Sequence, residues 1–352
     1  MRGRTQRRLL LAAVAAIAAV WLISSAGGSD DRFRLLVENG ADQAAVDSER
    51  QRDEVARALR ASVGKAAALG GSVEAAAMLA GWPRPVVVTS ESGGAGRWMR
   101  LWSMSKVVTM VGLLRAEGWD GDAGNPLSAE LEEALEGAIR RSENCHQRRV
   151  VLELQEATGG PAGARRAVEE AMRVAGGEVK TTGEVEAPDP SCVEYLEGQH
   201  AIPDPLAPGA LLGTSEWRIG DAIGFIDALG QGAYGEAVTD RVLAEMRLPK
   251  ATSREVAPGE LTAPLDWGAG RAFAGLEPAY KAGWGGSQDG NFLAGQIALV
   301  DLDGVGRLAI AVAFHPDVQP PSDDPGRTPA PAAIELVMAS VRESSLAARS
   351  RK

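Results

Sequence analysis

Two short stretches of this 352-residue chain set a serine three places ahead of a lysine: Ser62-Val63-Gly64-Lys65 and Ser103-Met104-Ser105-Lys106. On a helix this spacing turns both side chains toward one side. A lysine shielded from water can lose its proton near neutral pH and serve as the base that activates a serine nucleophile. The pattern is short and does not choose between its two copies. The surrounding elements do.

The first copy sits in "SERQRDEVARALRASVGKAAAL", where Val55, Leu59 and Val63 recur at helical intervals among many charges. No strand or turn feeds into it, so Ser62 reads as a solvent-facing or packing residue of a helical segment that extends from Asp30 to about Gly81. The second copy closes "PVVVTSESGGAGRWMRLWSMSK". An extended run over 85–89, a glycine-rich turn over 90–96 and a second extended run over 97–102 predict a hairpin that delivers Ser103 into the first turn of a helix. Val107 to Leu114 is apolar enough to carry that helix through a core. A serine placed there has its hydroxyl near the positive end of the helix dipole.

Further along, "AELEEALEGAIRRSEN" puts Leu131, Ala134, Leu135, Ala138 and Ile139 on one face. It breaks at Ser142-Glu143-Asn144 before the next helix. The segment "GGPAGARRAVEEAMRVAGG" has helix start and stop signals at both ends. Residues 178–212 form a proline-rich irregular stretch too long for a simple connector. Helices return in "TSEWRIGDAIGFIDAL" and "AYGEAVTDRVLAEMRL". Three antiparallel strands are expected over 279–286, 292–302 and 306–314, with Asp303-Gly304 turning the last pair. A final helix follows a proline-rich loop. The order of helix, strands, helical insertion, strands and helix predicts a two-part α/β domain.

A net charge of -10 argues against nucleic acid as a partner, because the only basic cluster is "MRGRTQRR" at the start. That cluster, the apolar run Leu9 to Ile23 and the small residues after it have the layout of an export signal or a membrane anchor over residues 1–28. The expectation is an exported, extracytoplasmic chain that meets the membrane only through this segment. Outside the cytosol the two cysteines, Cys145 and Cys192, can pair. Closing that loop would add roughly 4 kcal/mol of stability on the chain-entropy account. The three histidines, His146, His200 and His315, lie far apart without ligand spacing, so neither a metal site nor any cofactor is expected.

Three patterns now stand in one order: Ser103-Met104-Ser105-Lys106, Ser142-Glu143-Asn144 and Lys281-Ala282-Gly283. The set resembles the penicillin-recognising serine hydrolases, which include class A β-lactamases and D-Ala-D-Ala carboxypeptidases and carry S-x-x-K, S-x-N and K-[ST]-G. The helices "GGPAGARRAVEEAMRVAGG" and "TSEWRIGDAIGFIDAL" are also similar to their class A counterparts, and the resemblance runs from about Pro85 to the last helix. It implies a β-lactamase/transpeptidase-like α/β fold: an antiparallel sheet flanked by terminal helices, occupying 82–352, with an all-helical subdomain over approximately 115–262. It implies Ser103 as the acylated nucleophile, Lys106 as its base, Ser142 as proton relay, Asn144 as a hydrogen-bonding partner of Lys106 or substrate, and Lys281 as a positive charge near Ser142. The oxyanion hole would use the backbone N–H groups of Ser103 and Trp284, with Ala282 and Gly283 lining the substrate strand.

The sequence departs from that pattern twice. Ala282 replaces the hydroxyl of the third motif, a charge-assisted hydrogen bond worth roughly 1.5–3 kcal/mol; Arg271, Ser287 and Gln288 are the candidates to replace it. Trp284 is bulky for its place and suggests a narrowed cleft. Second, the class A deacylating glutamate, followed after two residues by Leu-Asn, has no match within 178–212. Glu186 lies nearest its expected place, with Glu184, Glu194 and Glu197 as alternatives. Three functions follow: a serine acyl-transfer hydrolase acting on an envelope (peptidoglycan-type) peptide or another small amide or ester, a class A-like β-lactamase, or a non-hydrolysing envelope-binding protein that keeps the fold. Oligomeric state has no signature in the sequence.

Overall fold

The computed structural model describes residues 30–91, 96–122, 126–181, 192, 196–197, 212–248, 267–286, 292–320 and 325–349. The chain divides into two units, Met1–Gln51 and Arg52–Lys352. The described part of the first is helical from Asp30, the start of helix α1 (Asp30–Ala67). Everything below concerns the second. Among the described residues no helix is long and apolar enough to cross a membrane; the apolar run after the basic cluster lies outside them.

The centre is a five-stranded antiparallel sheet in the order β2-β1-β7-β6-β5. Its strands are β1 (Gly71–Leu79), β2 (Val86–Thr89), β5 (Ala279–Gly285), β6 (Leu293–Leu302) and β7 (Gly306–Pro316). The last three arrive where the sequence pattern puts them, with Gly304 in the left-handed region at the predicted turn. Strand β1 does not. Residues 71–79 were expected to continue the N-terminal helix, yet they pair with β7 along their whole length. The run "EAAAML" is rich in alanine, the best helix former, and its burial on both faces overrides that local preference.

One face of the sheet carries Val73, Ala75, Ala77, Val300, Ile310 and Val312 against α1 and the last helix α9 (Ala330–Arg349). In that layer Val55, Leu59 and Val63 of α1 are fully buried, each contributing about 1.5–3 kcal/mol relative to exposure. The other face carries Ala76, Ile297, Ala311 and Ala313 against the helical part. That part comprises α2 (Ser105–Ala116), α3 (Ala129–Arg140), α4 (Asn144–Thr158), α5 (Pro161–Val174), α6 (Ile219–Gly230) and α7 (Glu236–Arg247). A short helix α8 (Ala269–Ala272) precedes β5. With helices on both faces, nearly every residue of β6 is buried, which erases the alternation of a half-solvated strand.

The predicted hairpin ahead of Ser103 does not form. Strand β2 pairs with β1, while β3 (Met99–Arg100) pairs with β4 (Glu216–Trp217) in a separate ribbon. The first extended run thus pairs back onto the strand just before it, and the second onto residues 216–217.

Glu74 is a charged residue in the sheet core, only 2% exposed, and its Oε2 has no hydrogen-bond partner among the described residues. Burial pushes its carboxyl up to about 7, opposed by Arg97 and reinforced by Glu91. The unfolded chain gives up this proton near the ordinary value of 4.5, so Glu74 weakens the fold progressively as pH rises from about 4.5 to 7. Glu74→Gln is therefore expected to raise the thermal midpoint relative to the parent above pH 7, with the gain vanishing below pH 4.5. Melting curves across this range check it; a gain independent of pH would contradict the burial account.

Candidate active site

Ser103 sits in a 3-10 turn, Trp102–Met104, that runs directly into α2. The turn is set by its neighbours. Leu101 N donates to Ser215 O at 2.8 Å and Trp102 N to Gly213 O at 2.7 Å, continuing the β3–β4 ribbon. Trp102 adopts a left-handed φ of 46°, unusual for a bulky side chain, and its carbonyl accepts a 2.7 Å hydrogen bond from the Ser105 hydroxyl. This bends the chain sharply at the residue before Ser103. The nucleophile candidate therefore precedes α2 by one turn instead of lying within its first turn.

Strand β5 passes hard against that turn. A Cβ on Gly283 would stand 2.7 Å from Leu101 O and 2.9 Å from the backbone nitrogens of Ser103 and Met104. Gly285 has a φ of 149°, and a Cβ there would stand 3.1 Å from the Trp102 ring. Only glycine lets the strand and the turn approach this far. The glycine of Lys281-Ala282-Gly283 is thus explained by contact, and the approach brings the Ser103 backbone N–H beside β5, as an oxyanion hole shared with Trp284 requires.

The other motif residues converge here. Lys106 is 2% exposed; its Nζ donates to Ser142 O at 2.5 Å and to Asn144 Oδ1 at 2.9 Å. Lys281 is 3% exposed; its Nζ donates to Ser142 Oγ at 2.7 Å and to Ala282 O at 2.8 Å. Two buried lysines thus grip one serine, one through its carbonyl and the other through its hydroxyl. Ser103, Lys106 and Asn144 line one cavity of about 60 Å³, together with Trp102, Ser105, Gly213 and Trp284.

Ser142 can present both groups because it lies between α3 and α4 with a left-handed φ of 57°. Glu143 holds it there. Its fully buried carboxylate accepts from Arg141 Nε at 2.8 Å and lies 2.8 Å from His146 Nδ1. A Cβ on Gly137 would strike the His146 ring at 2.4 Å, so that glycine makes room for this anchor. A turn further along, Gln147 Nε2 donates to Thr109 Oγ1 at 3.2 Å and locks α4 to α2. Neither His146 nor Gln147 carries any signal in the sequence that would mark it; both look like ordinary helix residues.

Cys145, the next residue after Asn144, forms a disulfide with Cys192 across a sequence separation of 47, with Cα atoms 5.2 Å apart. The proline-rich stretch is therefore stitched to the start of α4, beside the lysine network. Glu184, Glu186 and Glu194 lie outside the described residues, as do Ser287 and Gln288. Glu197 is exposed. Arg271 is half exposed, 4.0 Å from Glu335. Ala282 is 5% exposed and offers no donor. Besides Lys281, Arg140 shares a small cavity with Ala282 and Ser142, and its Nε and Nη2 donate to Glu245 at 2.5 and 3.1 Å. Trp284 is fixed edge-on against Trp267, with ring centres 6.3 Å apart. Gln296 steadies Trp267 in turn, donating to its carbonyl at 2.9 Å. Among the described residues no cluster of three or more His, Cys, Asp or Glu residues is placed to hold a metal ion.

No protein-family model matches the chain, and no curated protein matches it in sequence. Solved structures match it in fold. A β-lactamase from Streptosporangium roseum is 16% identical with a TM-score of 0.51, covering 85% of this chain and 99% of its own. A β-lactamase from Burkholderia vietnamiensis is 15% identical, TM-score 0.51, over 81% of this chain and 95% of its own. One from Desulfarculus baarsii DSM 2075 is 16% identical, TM-score 0.50, over 82% and 97%. The fold is β-lactamase-like, an antiparallel sheet with helices on both faces. Identity this low carries the likeness no further than the fold.

The close approach at Gly283 predicts that Gly283→Ala lowers stability by about 1–3 kcal/mol, since backbone atoms must move aside. Gly64→Ala, where a Cβ meets nothing within 4 Å in α1, should instead be neutral or gain about 0.5–1 kcal/mol from helix propensity. Paired denaturant melts decide it; equal effects at the two glycines would remove the steric account.

Proposed function

We propose that the chain is an exported serine acyl-transfer hydrolase, acylated on Ser103, that acts on an envelope peptide of peptidoglycan type or another small amide or ester. The observation that carries this reading is the convergence of Lys106 and Lys281 on Ser142, next to Ser103. A structural role alone would not call for two buried lysines on one serine, because burying each carries a large desolvation cost.

In this reading Lys106, in its amine form, takes the Ser103 proton as Oγ attacks the substrate carbonyl carbon. The new C–O bond yields a tetrahedral oxyanion, held by the backbone N–H groups of Ser103 and Trp284. As the carbon–heteroatom bond breaks, Ser142 passes a proton to the leaving nitrogen or oxygen. Lys281 supports the Ser142 oxygen and draws the negative end of the substrate. Asn144 fixes the Lys106 amine. Water then attacks the acyl carbon and regenerates Ser103, Glu186 being the candidate base for that step. The basic and apolar N-terminus supports export, and a disulfide is compatible with an oxidising compartment.

The structural neighbours are β-lactamases, which makes β-lactam hydrolysis the second reading; Ala282, without a hydroxyl for a substrate carboxylate, weighs against it. Binding without turnover is the third. Intact mass followed over time separates them, using the chain with penicillins, cephalosporins and a fluorophosphonate probe. The expected result is an adduct on Ser103, absent in Ser103→Ala and formed at least about 100-fold more slowly in Lys106→Met. A persistent β-lactam adduct places the chain with the acyl-transfer enzymes, and a transient one with release of hydrolysed drug places it with the β-lactamases. No adduct with any probe, or equal labelling of Ser103→Ala, overturns Ser103 as nucleophile.

A further inference from the structure

A second cavity, about 230 Å³, lies where the β3–β4 ribbon meets the adjoining ends of β6 and β7. Among the described residues it shares no wall with the Ser103 cavity. Arg97 and Arg100 bring two guanidinium groups to its wall, and Glu216 brings one carboxylate. The Arg97–Glu91 pair is long, 3.9 Å, and exposed on both sides, so it neutralises Arg97 weakly. The lining residues carry two positive charges against one negative, and Lys180 stands 4.0 Å from Glu216 as a further cation beside them.

His315 makes the cavity more than a charged dent. Its Nε2 is shielded from solvent and has no hydrogen-bond partner among the described residues. Burial, followed by the repulsion of Arg97, lowers this imidazole to about 4, so it is neutral at physiological pH and can donate from Nε2. A shielded donor without a partner is rare in folded proteins, and a small shift of this ring would turn it toward a ligand atom in the cavity. Gln319 adds a second donor: its Oε1 accepts from Phe292 N at 2.9 Å, which leaves the amide nitrogen available. Trp98 forms a flat, rigid wall, braced by Lys180 Nζ at 3.8 Å and Arg218 at 4.9 Å from its ring.

We propose that this cavity binds a small organic monocarboxylate, its charge between Arg97 and Arg100, its oxygens taking hydrogen bonds from His315 and Gln319, and its body against Trp98. The flat Trp98 face and the single amide donor of Gln319 suit an organic carboxylate better than inorganic phosphate. The volume fits a ligand of amino-acid size, below the range of drug-sized sites. Glu74 feels the Arg97 charge, which lowers its carboxyl against the larger, raising effect of burial.

N-acetylglycine is a suitable probe, titrated calorimetrically into the full chain at pH 6.5. Saturable binding with a Kd of roughly 0.1–1 mM is expected for so small a ligand. Arg97→Gln and Gln319→Ala should each weaken it about tenfold or more, one lost charged or polar contact apiece. Ser103→Ala and Lys281→Met should bind like the parent, which separates this site from the acyl-transfer reading. Absence of saturable heat overturns the proposal. So does binding that survives Arg97→Gln but is lost in Lys281→Met, because the probe would then occupy the Ser103 cavity. Equal binding of uncharged N-acetylglycinamide, or tighter binding of inorganic phosphate, would also sink the monocarboxylate assignment.

Discussion

Two lysine side-chain nitrogens, those of Lys106 and Lys281, are buried within hydrogen-bonding reach of one serine, and much of the structure follows from keeping them there. A buried charge or amine without partners is costly, so each lysine must be met by oxygen atoms held in fixed places. Those oxygens come from a three-residue break between two helices. The break keeps its shape through the left-handed Ser142, the Glu143 carboxylate on Arg141 and His146, and the small Gly137 beneath the imidazole. The Thr109–Gln147 hydrogen bond then fixes the helix that carries Lys106 to the helix that follows the break. A shift of either helix would strand a lysine.

The opposite wall is shaped by a different constraint, the lack of space. Gly283 and Gly285 let β5 lie against the turn that holds Ser103, and Trp102 accepts an unfavourable backbone angle to make that turn. Such strain persists only where surrounding contacts over-determine it. Here they do: two ribbon hydrogen bonds and the Ser105 hydroxyl hold Trp102 from both sides. The result is a preorganised junction of three chain segments. Positioning of this kind is what acyl transfer draws on for its rate.

Much of this was legible in the sequence, and the exceptions have physical causes. The apolar face of α3, the start and stop of α5, the three C-terminal strands, the break at Ser142 and the cysteine pair are local or compositional signals, and each is where the pattern puts it. Strand β1 was hidden because alanine favours helix unless tertiary burial decides otherwise. The hairpin before Ser103 was misread because the partners of β2 and β3 lie elsewhere in the chain, and a glycine-rich turn looks the same whichever strands it joins. His146, Gln147 and Arg140 could not be found at all. Their roles are contacts between helices, and nothing in a sequence distinguishes a buried polar bridge from a solvated side chain.

The two Ser-x-x-Lys copies show where chemistry enters. In α1 the Ser62 hydroxyl turns back onto the Leu59 carbonyl of its own helix at 3.0 Å, and Lys65 is exposed to water. That serine is satisfied locally, and that lysine is exposed to solvent. In the second copy Lys106 is buried and bound to groups delivered by another helix, and Ser103 stands at a strained turn on the wall of a cavity. The residue types and their spacing are the same in both copies. What differs is the desolvation of the lysine and the origin of its partners, and both are properties of the fold. A four-residue pattern becomes a candidate site only when the remainder of the chain removes its water and supplies the oxygens that water would have provided.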